Sequence, residues 1–257
     1  MIKKHIIVLA GSQLFGTSPA DVSVSEFAQV TGLSETYVKW CMLYDQYLAS
    51  CNPCSGGSYI NQYKQGMISD DEFYQGIRQR LGKVEDELSN DNIKNCWNKM
   101  CEFSHNTQTE VKEFISFLAQ NPDYVVFFVN ETNPLHYKFN RSQLRALVGD
   151  EAFELVEDRI RFVNSFEECS TNKADLAKKA ITSYLKINGT NIDAIGSLHS
   201  AMPAEDLLEK DGTHAAAVRR PTTMNYKTMP STVITNALQE IHGAFGKVLD
   251  QKYSRAL

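Results

Sequence analysis

Two groups of residues in this 257-residue chain have types that chemistry could use. The first is Ala10-Gly-Ser12 near the start, with Asp211-Gly-Thr-His214 far downstream. A serine becomes a nucleophile when a histidine takes its proton and a carboxylate orients that histidine. In such a triad Ser12 attacks, His214 is the base and Asp211 orients it, with Asn130 or Asn133 donating to the oxyanion. The plainer roles are a turn hydroxyl bonded to its own backbone for Ser12 and the first residue of a buried strand for His214. The second group is Gly11, Ser12, Asn130, Glu131 and Lys173. Two backbone amides, an amide side chain and an ammonium could hold an anion, and Glu131 would repel it. The plainer role of Lys173 is an exposed lysine opening a helix, since lysine is mostly solvated.

The six cysteines offer a third chemistry: Cys41, Cys51, Cys54, Cys96, Cys101 and Cys169. Cys51-Asn-Pro-Cys54 could be half of a zinc site, with Cys96 and Cys101 as the other half. On a helix, residues five apart lie about 140° around the axis, which turns the second pair away from a shared metal. Ordinary thiols are the expectation, and no metal site is assigned.

These residues need elements to carry them. Ile6 to Ala10 reads as a first strand, punctuated by Gly11, Gly16 and Pro19. A helical region follows. Ser34 can cap a helix to about Ala49, CNPCSGGS breaks the pattern, and Ser69-Asp-Asp-Glu72 is a capping box for a helix ending at Gly82. Ser89 begins a helix through Trp97 and Met100. Thr107-Gln-Thr-Glu110 is a second capping box, before Val111, Phe114, Ile115 and Leu118 on one helical face. Tyr124 to Val129 is an unbroken apolar run, the mark of a parallel strand covered on both sides. Asn133-Pro134 reads as cap and first residue of the next helix. Arg161 to Val163 is a short strand. Asn172 caps a helix with Leu176, Ala180, Ile181, Tyr184 and Leu185 inward. Ile192 to Ile195 and His214 to Val218 are the last strands, with a helix near Ala204 to Lys210 between them. Ile234, Leu238, Ile241, Phe245, Val248 and Leu249 mark a C-terminal helix, whose stripe could dock on the core or form a homodimer seam.

The expected fold class is therefore α/β: a parallel, Rossmann-like sheet flanked by helices, with a helical cap inserted after the first strand. Residues 1–19 and 106–220 form the α/β core, 20–105 the cap and 221–257 a helical extension. Ligands in such sheets bind beyond the carboxyl ends of the strands. That places weight on Leu9 to Ser12, Asn130 to Asn133, the segment near Lys173, and Ile195 to Leu198. With 42% hydrophobic residues, 22% charged and a net charge of −5, nothing suggests nucleic-acid binding. No apolar run reaches the roughly 20 residues of a membrane span. The run after Lys3 and Lys4 is too short for a signal peptide, so a cytoplasmic location is expected.

In order along the chain, GMISDDEFYQGI, CWNKM, FFVNETNPLHYKFN, NSFEECSTNKADLAKKAI and IDAIGSLHSAM resemble segments of the haloacid dehalogenase (HAD) superfamily. The similarity is to its phosphatase branch with a cap after the first strand. The first two stretches resemble cap helices and the others its second, third and fourth motifs, with Lys173 at the lysine position. About residues 5–220 are covered. The resemblance implies an aspartate nucleophile after the first strand, a second acid two residues on, and Mg²⁺ held with an aspartate of the fourth motif. Here Leu9 and Gly11 take the two acid positions, and no Asp or Glu precedes Asp21 in any register. Ile195-Gly-Ser197 replaces the fourth-motif acids, with Asp193 the nearest carboxylate. Asn130 and Glu131 replace a usual Ser-Asn.

The expectation is a HAD-like protein without phosphatase activity, a pseudophosphatase that binds or scaffolds and needs no cofactor. Its occupant would be a protein partner or a small anionic ligand at Gly11, Ser12, Asn130, Glu131 and Lys173. An alternative is a serine esterase of the Gly-Asp-Ser type using Ser12, Asp211 and His214, although Gly11 stands where that motif has Asp. An active phosphatase drawing on cap carboxylates such as Asp45, Asp70 or Asp71 is a third reading. Asp70 and Asp71 are placed to favour a helix N-terminus instead.

Overall fold

The computed structural model describes residues 4–10, 20–42, 59–103, 105–122, 124–170, 172–188, 192–198 and 214–217. Gly11, Ser12, Asp211, the CNPC turn, the 204–210 helix and the C-terminal helix lie outside these residues. So do the side chains of Lys173 and His214.

Among the described residues, five strands form one sheet: β1 (Lys4–Ala10), β2 (Tyr124–Asn130), β3 (Ile160–Asn164), β4 (Ile192–Leu198) and β5 (His214–Ala217). Their spatial order is β3-β2-β1-β4-β5, and every pairing is parallel. β2 explains why the sheet is covered twice. Successive side chains of a strand point to opposite faces, and residues 124–129 are all buried. Tyr124, Val126 and Phe128 pack with Val111, Phe114, Ile115 and Leu118 in one cluster. Val125, Phe127 and Val129 pack with Val8, Leu176, Ala177 and Ile181 in another.

Between β1 and β2 the described residues are mainly helical. They form α1 (Ala20–Thr31), a helical stretch at 35–42, α2 (Tyr59–Lys64), α3 (Asp70–Leu81), α4 (Asn90–Asn98), a 3-10 turn (Lys99–Cys101) and α5 (His105–Gln120). Local signals set several of these starts. Ser34 Oγ accepts from the Tyr37 N–H at 3.3 Å. The Ser69–Glu72 capping box forms both bonds, and α3 ends at Gly82 in the left-handed conformation. Ser89 caps α4. The expected start at Thr107 is displaced: α5 begins at His105, so Thr107 lies inside the helix. A box sequence caps only when its first residue is extended, and here the two residues before it are already helical.

The helices before α5 bury Phe27, Tyr63, Phe73, Ile77 and Trp97 against one another, joined by Leu135. After β2 come α6 (Pro134–Val148), α7 (Asp150–Glu157), β3, the short α8 (Ser165–Glu168) and α9 (Lys173–Asn188). Asn133 and Asn172 cap α6 and α9 as their sequences require, accepting from the His136 and Asp175 amides at 3.0 and 3.3 Å. Among the described residues, no helix is long and apolar enough to cross a membrane.

Candidate functional site

The carboxyl ends of all five strands lie along one edge of the sheet, because the pairings are parallel. Leu9 stands level with Phe128 on one side and Leu198 on the other. The end of the middle strand, β1, therefore brings Leu9 and Ala10 to the place where a ligand would meet the sheet. β4 ends in Ser197 and Leu198. Asp193 is at its amino end, beside the irregularity where pairing shifts between Lys4 and His5. At about 3.3 Å per residue it stands some 16 Å back from Leu198 along the strand.

The polar groups gather at the ends of β2 and β3. Asn130 is level with Asn164. Its amide donates weakly to Asn164 Oδ1 (3.3 Å) and to the Phe128 carbonyl (3.4 Å). Asn164, fully buried, donates in turn to Glu167 Oε2 at 3.0 Å. Ser165 follows. Its hydroxyl accepts from the Thr132 N–H at 3.0 Å and shares its one hydrogen between the Lys64 carbonyl (2.8 Å) and the Thr132 carbonyl (2.9 Å). Glu131 is paired across the chain. Lys64 Nζ, from the helical block, lies 3.2 Å from Glu131 Oε1. The expected anion site thus has its described donor, Asn130, engaged within the protein.

Further contacts join the helical block to the strand ends. Asp70 accepts from the Tyr63 hydroxyl at 2.6 Å and pairs with Lys138 at 3.3 Å. Burial, aided by the Asp70 carboxylate, raises the Tyr63 pKa. Gly66, with φ +68°, packs on the backbone of Phe166. The His136 ring stacks on Trp97 at 5.1 Å and 15°. Its Nε2 lies 3.1 Å from the Trp97 carbonyl, an acceptor, so Nε2 carries the hydrogen. Asn133 uses its oxygen on the His136 amide, which turns its NH₂ to Nδ1 at 3.1 Å. His136 is thereby held as the neutral Nε2–H tautomer. Burial depresses its pKa to about 4, with the Lys64 ammonium adding and the Trp97 carbonyl opposing.

The family's Mg²⁺ needs several carboxylate oxygens between β1 and β4. The residues that end those strands in the structure are aliphatic or small, and among the described residues no three His, Cys, Asp or Glu come together. The cysteines Cys96 and Cys101 are buried. Burial pushes the Cys96 thiol up to about 11 and Cys101 up to about 12, which keeps both protonated.

Of the proposed triad, only the backbone of His214 lies among the described residues. His214 opens β5 level with Ala194, which is level with His5. Strand rise and spacing put its Cα about 19 Å from that of Ala10.

Sequence reading missed Lys64, His136, Asn164 and Ser165. Asn164-Ser165 had a local signal: two polar residues directly after a short apolar run, where a parallel strand ends. Lys64 and His136 had none, because their partners lie 67 and 39 residues away.

No family model matches the chain, and no curated protein matches it in sequence. Solved structures do match. A HAD family enzyme from Bacteroides thetaiotaomicron, in complex with magnesium and inorganic phosphate, aligns with a TM-score of 0.53 at 18% identity, over 87% of this chain and 96% of that one. A second structure of that enzyme gives a TM-score of 0.53 at 17% identity, over 88% and 98%. The chain has the HAD-like α/β fold.

Proposed function

We propose that this HAD-like fold is a binding or scaffolding protein that carries out no phosphoryl transfer at the end of β1. The observation that carries the reading is chemical. The middle strand ends in Leu9 and Ala10, and no carboxylate occurs anywhere before Asp21. A hydrocarbon side chain has no lone pair with which to attack phosphorus. Asp193, the acid nearest the fourth-motif position, is at the amino end of its strand. Asp70 in the helical block is already held by Tyr63 and Lys138. The reading therefore has no Mg²⁺ in it, and the occupant of the strand ends is a protein partner or a small anion. The esterase alternative loses weight to the register, which separates His214 from the end of β1.

Chromogenic phosphate with Mg²⁺, and chromogenic acetate without it, test both points. Turnover of each is expected to equal the protein-free blank. Phosphate hydrolysis that rises in step with the purified protein would refute the reading. Acetate hydrolysis abolished in Ser12→Ala would put the esterase in its place.

A further inference from the structure

A cation and a carboxylate from distant segments, Lys64 and Glu131, meet at the strand ends. Lys64 is the last residue of α2, and its backbone is tied to the end of β3 through Ser165. Its ammonium is directed to the first residue after β2, Glu131, at 3.2 Å. The side chains are 26% and 34% exposed, so both remain within reach of solvent. Around them Asn130 donates to Asn164, Asn164 to Glu167, and the Ser165 hydroxyl bridges backbone groups. With those donors engaged, the Lys64 ammonium is the cation at the end of β2, and the protein's own Glu131 supplies the negative charge beside it.

We infer that Glu131 is a built-in counter-anion: it occupies Lys64 and excludes small free anions from the strand ends. The inference rests on the non-catalytic reading above and narrows it: no small free anion occupies the strand ends of the wild-type protein. Two carboxylate or phosphate charges beside one ammonium repel each other strongly in a partly desolvated site. Meanwhile a part-exposed ion pair contributes little to folding. The same contact thus matters greatly for anion binding and little for stability, so Glu131→Gln should fold as the wild type does.

Titration with inorganic phosphate, without added metal, separates the outcomes by calorimetry. Wild type is expected to show no saturable binding. Glu131→Gln is expected to bind at least about tenfold more tightly than any residual wild-type signal. The gain should vanish in Lys64→Met/Glu131→Gln, and all three proteins should share one unfolding midpoint. Equal behaviour of wild type and Glu131→Gln would overturn the inference. So would a gain that survives loss of Lys64, or an unfolding midpoint that collapses in Glu131→Gln. Phosphate turnover by the wild type is read separately, so failure of the non-catalytic reading is told apart from failure of this one.

Discussion

Acidification from pH 6.5 to 4 is expected to cost the folded state about 3 kcal/mol through His136 alone. Its ordinary pKa of 6.5 falls to about 4 in the structure, chiefly through burial. Between those values the unfolded chain binds a proton that the folded chain refuses. The stabilising contribution is therefore whole above pH 6.5 and is lost as pH falls through about 4. Geometry gives the same sign. A proton on Nδ1 would face the Asn133 NH₂, a donor against a donor. Urea titrations at several pH values measure the slope. In His136→Gln, which can still donate to the Trp97 carbonyl, the slope over this window should flatten, whatever the stability at neutral pH. An undiminished slope in that variant would assign the acid sensitivity elsewhere.

Gly66→Ala is expected to destabilise by about 2–4 kcal/mol, the strain of a left-handed alanine added to a clash. Gly66 has φ +68°, and a Cβ there would run into the carbonyl oxygen of Phe166 and come within 3.2 Å of its carbonyl carbon. A backbone carbonyl cannot swing aside as a side chain can. Gly82 is the internal comparison: φ is +63° but nothing lies within 4 Å of its Cβ position. Gly82→Ala should therefore cost only about 1 kcal/mol, the conformational share. Denaturant midpoints compare the two variants directly. If Gly66→Ala were no worse than Gly82→Ala, the close approach of residues 66 and 166 would not exist in solution. Hydrogen exchange adds a local readout, since the Thr132 amide is bonded to Ser165 beside this contact.

How much of the fold was legible depended on how locally each element was specified. The Tyr124–Val129 run, the Ser69 box and the Asn133-Pro134 cap place their elements because the deciding contacts fall within a few residues. α2 and α7 had weaker signatures. α2 is six residues long, and α7 follows α6 after one glycine, Gly149. The box at Thr107 shows the converse: a correct pattern overridden by a helix that starts earlier. In α9 the inward Leu176 and Ile181 were legible from spacing, while Ala177, buried as well, is too small to mark a face.

The candidate site divides along the same line. Leu9, Gly11 and the lack of any acid before Asp21 are facts of composition, and no fold can add a missing carboxylate. The sequence alone thus decided that β1 delivers no nucleophilic acid, and unbroken apolar runs with 3.6-residue patterning sufficed for an α/β chain. Tertiary structure decided which charges meet. It set Lys64 against Glu131, buried His136 under Trp97, and moved Asp193 and His214 away from the carboxyl ends by strand register. The physical reason is distance along the chain: patterning and capping act within a turn or two, whereas register and charge pairing are fixed only when segments tens of residues apart pack together.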